Sequence, residues 1–409
     1  MAVATSYNVT ATQGARESLA NTLRFVEPTT TPLYSTLAHS AAPKAVLTEW
    51  LADVLANPDV AGELDGTDLA FNTDFNDQIN SRVRLGNRVQ TVRNAYAVSR
   101  QAQMISVAPG ESLTSASKAK SLLELKRSLE SVIGSGESQR TGSGSVTAKS
   151  QGLGIWSDPS AAVADVPASV LAVSGSRFDL SASAGANTMV ESDLRSMLQS
   201  VYEASGTKSD YRLVAGPAVV NEISDFSRAS AGSATFNQEV GGGRLSLSIT
   251  EYNSSYGSLK VIPDLFLGRQ EGQAITSSST ANPAVITTPE NHNLTTADTV
   301  TISGVTGNDA INGTFVVTVT GVKTFTLDGQ TGAAGAGTGG TLTLGNNTAQ
   351  GVMNSRRAYL IPGDDTVSLK FLEGITTQNL PDLGGGPRAF VEAMITLCVT
   401  NPRALGSIV

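Results

Sequence analysis

Between Ala274 and Gly345 the chain changes character: threonine becomes very frequent, and charge shrinks to Glu290, Asp298, Asp309, Lys323 and Asp328. Short runs, PAVIT, TVTIS, TFVVTV, TFTL and TLTL, alternate with Gly- and Asn-bearing turns. That alternation is the signature of a small all-β sandwich or barrel. A β unit set into a chain of different composition must enter and leave through one exposed loop, where two strand ends lie close together. The flanking runs VIPDLFL and RRAYLIP read as neighbouring strands of one host hairpin, so residues 274–345 are expected to form an inserted domain that projects outward. With 409 residues, the chain has room for two to four units of about 100 to 200 residues each.

The host sequence begins with an arm, residues 1–44, whose Pro28, Pro32 and Pro43 favour extended backbone with a short helix at SLANTLRF. Residues 45–100 form an extended loop with segregated charge. Glu49, Asp53, Asp59, Glu63, Asp65, Asp68, Asp74 and Asp77 come first, with no Lys or Arg among them; Arg82, Arg84, Arg88, Arg93 and Arg100 follow, with no acid before Glu111. Opposite charge on outgoing and returning limbs suits a long two-stranded loop. Such a hairpin buries too little apolar surface to stand alone, so it must lie against something. It is either a solvated surface hairpin or a limb crossing onto a neighbouring subunit, and the second reading is favoured. Its contact candidates are Asp59, Glu63, Asp65, Asp68, Asp74, Asp77, Arg82, Arg84, Arg88 and Arg93.

Residues 112–133 carry the clearest helix signal, with Leu122, Leu125, Leu129 and Val132 in one stripe and Lys126 spaced to pair with Glu130. Gly134 ends it, and Trp156 is a core candidate. Residues 189–204 predict a second helix stopped by Gly206, and DYRLVAGPAVVNEISDF predicts a strand, a turn at Gly216-Pro217 and a third helix. Strand-like runs return late, in VSLKFLEGITTQNL and FVEAMITLCVTNP. The fold class is therefore α+β, with the last strands of the core non-local in sequence.

The parts that chemistry needs are sparse. His39 and His292 are the only histidines and Cys398 the only cysteine, so no zinc-ligand cluster or intrachain disulfide is expected. No G-x-S-x-G elbow occurs. Asp364-Asp365 follows Ile-Pro-Gly between two strand-like runs and reads as a turn. Gly335, Gly337 and Gly340 spell G-x-G-x-x-G, but a strand follows them rather than a helix N-terminus. The triplets at Gly241 and Gly384 lack a following Lys-Ser or Lys-Thr. A net charge of −8 argues against a surface built wholly to grip nucleic acid. No signal peptide or membrane-spanning run is visible, and cytosolic assembly is the expectation.

The order of arm, acidic-then-basic loop, long helix and α+β domain with a late strand return resembles tailed-phage major capsid proteins of the HK97 type. The likeness is carried by ESLANTLRFVEPTTTPLYSTL with KAVLTEWLADVLANP, by ESDLRSMLQSVYEASG, by LVAGPAVVNEISDFSR and by VSLKFLEGITTQNLPDLGGG with FVEAMITLCVTNPRALGSI. It implies an N-terminal arm (1–44), an extended loop (45–100), a peripheral domain with its spine helix (101–184), an axial domain (185–273), the inserted β domain (274–345) and an axial/peripheral return (346–409). The inserted stretch HNLTTADTVTISGVTGNDAINGTFVVTV is similar to small β modules appended to phage structural proteins. The resemblance further implies no catalysis and no cofactor. It implies hexamers and pentamers around double-stranded DNA, a separate scaffolding protein, a portal, and decoration or minor capsid proteins; an acidic chain that encloses DNA should touch it weakly and without sequence preference, with Lys118 and Lys120 either contacting it or lying on a solvated helix face. It implies no membrane partner, and a place in the virion capsid after assembly in the host cytoplasm. Residues 45–81 hold no Lys, which departs from members that cross-link through a lysine on this loop. The competing readings are a tail-tube or fibre component, which the β module alone would suit, and a soluble enzyme, which lacks its parts.

Overall fold

The computed structural model describes residues 29–53, 55, 58, 60, 65–66, 82–104, 112–144, 147–159, 170–178, 189–206, 210–229, 251–267, 273–288, 292, 294, 296–321, 323–333, 335–344, 357–363, 366–381 and 384–408. In chain order, the first part contains α1 (Pro32–Thr36), β1 (Ala38–Ser40), β2 (Leu47–Ala52), β3 (Val83–Arg88), β4 (Gln90–Ala97), α2 (Arg100–Met104), α3 (Leu113–Ile133), α4 (Leu153–Trp156) and β5 (Arg177–Phe178). Then come α5 (Glu191–Ser205), β6 (Tyr211–Ala215), α6 (Pro217–Ala229), β7 (Glu251–Ser254) and β8 (Gly257–Pro263). The Thr-rich stretch supplies β9 (Gln273–Ala274), β10 (Ser277–Ser278), β11 (Val285–Thr287), β12 (Thr299–Ser303), β13 (Gly313–Gly321), β14 (Thr324–Leu327), β15 (Gly337–Thr338) and β16 (Thr341–Leu344). The return consists of β17 (Ala358–Pro362), β18 (Val367–Leu380), β19 (Arg388–Val399) and β20 (Gly406–Ile408).

Three apolar cores organise these elements. The first lies between α3, through Leu125, Leu129 and Ile133, and the four-stranded sheet ordered β1-β18-β19-β4; Trp156 is fully buried in it. The second lies where α5 (Leu194, Met197, Leu198, Val201) and α6 (Val219, Ile223) pack on the six-stranded sheet ordered β5-β20-β17-β6-β8-β7. Strands β6 and β17 serve both. Val214, Tyr359 and Ile361 face the first core, while Leu213, Ala215, Ala358 and Leu360 face the second. A strand buried on both faces reads as a continuous apolar run, which is why YRLVA and AYLIP show no polar alternation. The third core belongs to the Thr-rich stretch alone. Its eight strands form one antiparallel sheet, β15-β10-β11-β14-β13-β12-β16-β9, closed over Ile286, Val300, Val317 and Phe325.

The helix boundaries follow local chemistry. Ser112 precedes α3 with extended backbone, and Gly134 closes it with its N–H on the Glu130 carbonyl at 3.0 Å. A Cβ at Gly134 would come within 3.1 Å of Leu267 and 3.2 Å of Leu33, so a larger residue there would require both leucine side chains to shift by a few tenths of an ångström. In α5 the Asp193 carboxylate accepts the Val190 N–H at 3.0 Å, and Gly206 ends the helix in the left-handed region at φ 67°.

Several sequence expectations change. The arm helix expected at SLANTLRF lies outside the described residues, whereas Pro32 opens a helical turn because proline suits the first helical position. Lys126 does not pair with Glu130. An ion pair on α3 instead joins Lys120 and Glu124 at 3.8 Å, and Glu130 is turned inward and fully buried. The basic returning limb is not one strand. Buried Val89 donates its N–H to the Val46 carbonyl at 2.8 Å and divides β3, which pairs with β2, from β4, which pairs with β19. Finally, β8 and β17 share a sheet but are not neighbours. Strand β6 lies between them, parallel to β8 and antiparallel to β17.

Candidate assembly surface

The segment from Val46 to Val60, paired through β2 with β3, is unlike the rest of the described surface. Val46, Leu51, Leu55 and Val60 are exposed by 57%, 64%, 93% and 96%. The opposite face of β2 is anchored: Trp50 donates its indole N–H to the Val399 carbonyl at 2.8 Å and lies 5.8 Å from the Trp156 ring. Below β3, Asn87 is fully buried; its amide donates to the Gln151 and Leu397 carbonyls and accepts the Gln151 N–H at 2.7 Å. Trp50 thus fixes one face of β2 to the first core, Leu51 is exposed on the opposite face, and Val46, Leu55 and Val60 are exposed beyond the strand ends.

Of the ten charged contact candidates, Asp59, Glu63, Asp68, Asp74 and Asp77 lie outside the described residues. Asp65 is exposed on a turn with Gly66 at φ 83°. Arg82 and Arg84 reach Asp53 and Glu49 across the β2–β3 ladder at 3.5 and 3.7 Å, and all four side chains are more than two-fifths exposed. Exposed pairs of this kind contribute about 0 to 1 kcal/mol. Arg88 is half-buried beside Asn87, whose side chain accepts the Arg88 N–H at 2.8 Å. Arg93 is committed within its own chain: it faces Glu392 directly across the β4–β19 ladder, makes an ion pair with it and stacks 4.4 Å above the Phe390 ring.

Groups that carry chemistry elsewhere are used structurally. His39 packs against Tyr34 and Phe371. His292 is buried, with Nε2 2.8 Å from the Gly321 carbonyl and Nδ1 accepting the Leu294 N–H at 3.0 Å. That arrangement fits the neutral ring, and burial lowers its pKa. Burial pushes the Cys398 thiol up, away from the thiolate form. Among the described residues there is no group of three or more His, Cys, Asp or Glu able to hold a metal, and no helix is long and apolar enough to cross a membrane. Asp364 and Asp365 lie outside the described residues.

Sequence reasoning missed one pair. Glu130 and Asp264 are 0% and 2% exposed, and both carboxyls are held above their ordinary range, first by burial. A Glu one turn before Ile133, beside a Leu stripe, was the available signal.

Compared with known proteins, the chain matches the SU10 major capsid protein family over residues 4–320. No curated protein matches its sequence. Among solved structures it is similar to the capsid of an empty GTA particle, with a TM-score of 0.51 and 8% identity over 99% of this chain and 98% of that one. It is also similar to the capsids of cyanophage P-SCSP1u (TM-score 0.49, 9% identity, 96% and 91% covered) and cyanophage Pam1 (0.48, 10%, 100% and 98%). The GTA likeness concerns the fold, which is HK97-like and mixes helices with several sheets. The family match spans well over half of the chain: this protein belongs to the SU10 major capsid protein family and is a capsid-forming structural protein of the virion shell.

Proposed function

We propose that this chain assembles through hexamers and pentamers into a closed head around double-stranded DNA, and that, within the loop at 45–100, the exposed face of the β2–β3 limb docks on a neighbouring subunit. The observation that carries the second part is the exposure of Val46, Leu51, Leu55 and Val60 on and beside a strand that Trp50 anchors to the first core. A repeated apolar contact in a symmetric shell sums over many interfaces, and the flanking acids and arginines set register more than affinity. Asp59, Glu63, Asp65, Asp68, Asp74, Asp77, Arg82, Arg84 and Arg88 are the charged contacts of this reading; Arg93 supports the limb from within its own chain.

The domain plan is an arm, an extended loop, a peripheral domain on α3, an axial domain on α5 and α6, and an inserted β domain at 274–345 that faces outward. Its partners are further copies of itself, a separate scaffolding protein, a portal and decoration or minor capsid proteins, with assembly in the host cytoplasm. The role is non-enzymatic. A protein of net charge −8 that lines a packaged genome is expected to touch DNA weakly and without sequence preference. Electron microscopy of the purified full-length chain, alone and co-expressed with the proteins of its assembly locus, tests the reading. Hollow shells or capsomers are expected, and tubes or fibres would overturn it.

A further inference from the structure

We propose that Glu130 and Asp264 share one proton, and that this proton makes the contact between α3 and the 264–267 segment a pH-sensitive latch. Three pieces of chain far apart in sequence meet at the pair. Glu130, in the last turn of α3, accepts the backbone N–H groups of Leu33 (2.6 Å) and Tyr34 (2.7 Å) from α1. Asp264, just after β8, donates its own N–H to the Ala215 carbonyl and takes the Phe266 N–H on Oδ1, both at 2.9 Å. Its other oxygen, Oδ2, is buried with no donor among the described residues while both acids are ionised. A proton on Glu130 supplies that donor, and a hydrogen bond between the two carboxyls follows.

Among the described residues, no cation bonds either carboxyl. Lys126 and Arg127 share the helix with Glu130, and the Arg127 guanidinium is turned over the Phe266 ring at 5.2 Å. Arg212 of β6 bonds the Thr36 carbonyl at 2.9 Å. Arg357, next to β17, pairs with Asp298, and Arg177 of β5 pairs with Asp158. Tyr359 donates to the Gly134 carbonyl at 3.0 Å, and the hydroxyls of Tyr34 and Tyr359 are both held protonated by burial. The causes that raise Glu130, to about 8, are burial first and the Asp264 charge second; the two backbone N–H groups oppose them.

The sign follows from linkage. A carboxyl raised in the folded state stabilises that state fully below its ordinary value, and the contribution is lost as pH rises through about 8. Once the proton leaves, two carboxylates repel in a buried site. Glu130 keeps its two N–H donors, so the contact that yields is the one with Asp264. The segment released is 264–267, whose Leu267 packs against Gly134 and which leads from β8 toward the Thr-rich sheet.

Hydrogen exchange on the purified full-length chain, at about pH 6 and about pH 9 and corrected for intrinsic exchange, reads the latch directly. Protection of residues 264–267 is expected to fall at the higher pH by up to about a hundredfold, about tenfold for each of the two pH units between pH 6 and the Glu130 value of about 8, while residues 33–37 stay protected. Asp264→Asn removes the competing charge and offers an amide donor to ionised Glu130, so the response should shrink to the part that burial of Glu130 sets; Glu130→Gln removes the titrating carboxyl and should abolish the response, with loss of one of the two N–H contacts from Leu33 and Tyr34. Unchanged protection of 264–267 in the wild type overturns the proposal, as does a wild-type response in either variant. If one variant fails to fold, the other variant and the wild-type profile still decide.

Discussion

Arg93 shows what a side chain's charge conceals when its partner is distant in sequence. In the basic run from Arg82 to Arg100 it is indistinguishable from its neighbours, yet it is held by Glu392 and Phe390, about three hundred residues later. The Glu392 side chain is 4% exposed and Arg93 is 56% exposed, so the pair sits between the surface and buried limits. Arg93→Ala strands a buried carboxylate and should destabilise the unassembled chain by about 2 kcal/mol. Adding Glu392→Gln should recover more than half of that loss in urea unfolding, because the orphaned charge is gone. Equal losses in the single and double variants would remove the pair from the account. Glu130 was concealed in the same way: helical spacing placed it next to Lys126, but the N–H groups that claim it come from Leu33 and Tyr34. Residue identity shows what a group can bond, and only the fold shows which candidate arrives.

Elements with local causes were legible. The helix expected at 112–133 is Leu113–Ile133, and the one expected at 189–204 is Glu191–Ser205, since apolar spacing, Gly134 and Gly206 all act within a few residues. The strand, turn and helix of DYRLVAGPAVVNEISDF also appear, as β6 and α6. Strand partners were less legible, because pairing β19 with β4 or β17 with β6 depends on chain that is remote in sequence. The limb is where element and assembly meet. Arg82 and Arg84 spend their charge on Asp53 and Glu49, but at exposed sites worth about 1 kcal/mol or less each. Reversing Arg82, Arg84 and Arg88 to Glu should therefore leave a folded chain. If the limb docks on a neighbour, like charges would meet across that contact and shells should fail to form. Sedimentation and electron microscopy of the triple variant check this, and normal particles would refute the intersubunit role.

For the molecule as a whole, the question is how separable the Thr-rich unit is. All five strand runs read from its sequence are present, and they close over a core of their own. That is the expected behaviour of a domain whose loss costs its host little. Two features of the host qualify how it can be removed. The ends it leaves, β8 and β17, have β6 between them, so a tight turn cannot rejoin them. The connection between them must cross two strand spacings, about 10 Å, which takes roughly four residues of extended chain, and the residues kept on either side of the unit, 264–273 and 346–357, exceed that length. In addition, Arg357 is 3% exposed and pairs with Asp298 of the unit at 3.9 Å. Removing one partner of a buried pair costs about 3 to 5 kcal/mol, so the deletion should carry Arg357→Met. A chain in which residues 274–345 are replaced by a short Gly-Ser linker, with Arg357→Met, is expected to fold and to form shells of unchanged lattice. The same deletion with Arg357 retained should be the less stable of the two in thermal unfolding. Shells from the paired variant would mark the unit as an outward appendage whose role lies outside the lattice. Insoluble protein, or capsomers that cannot close, would make it part of the shell's core instead.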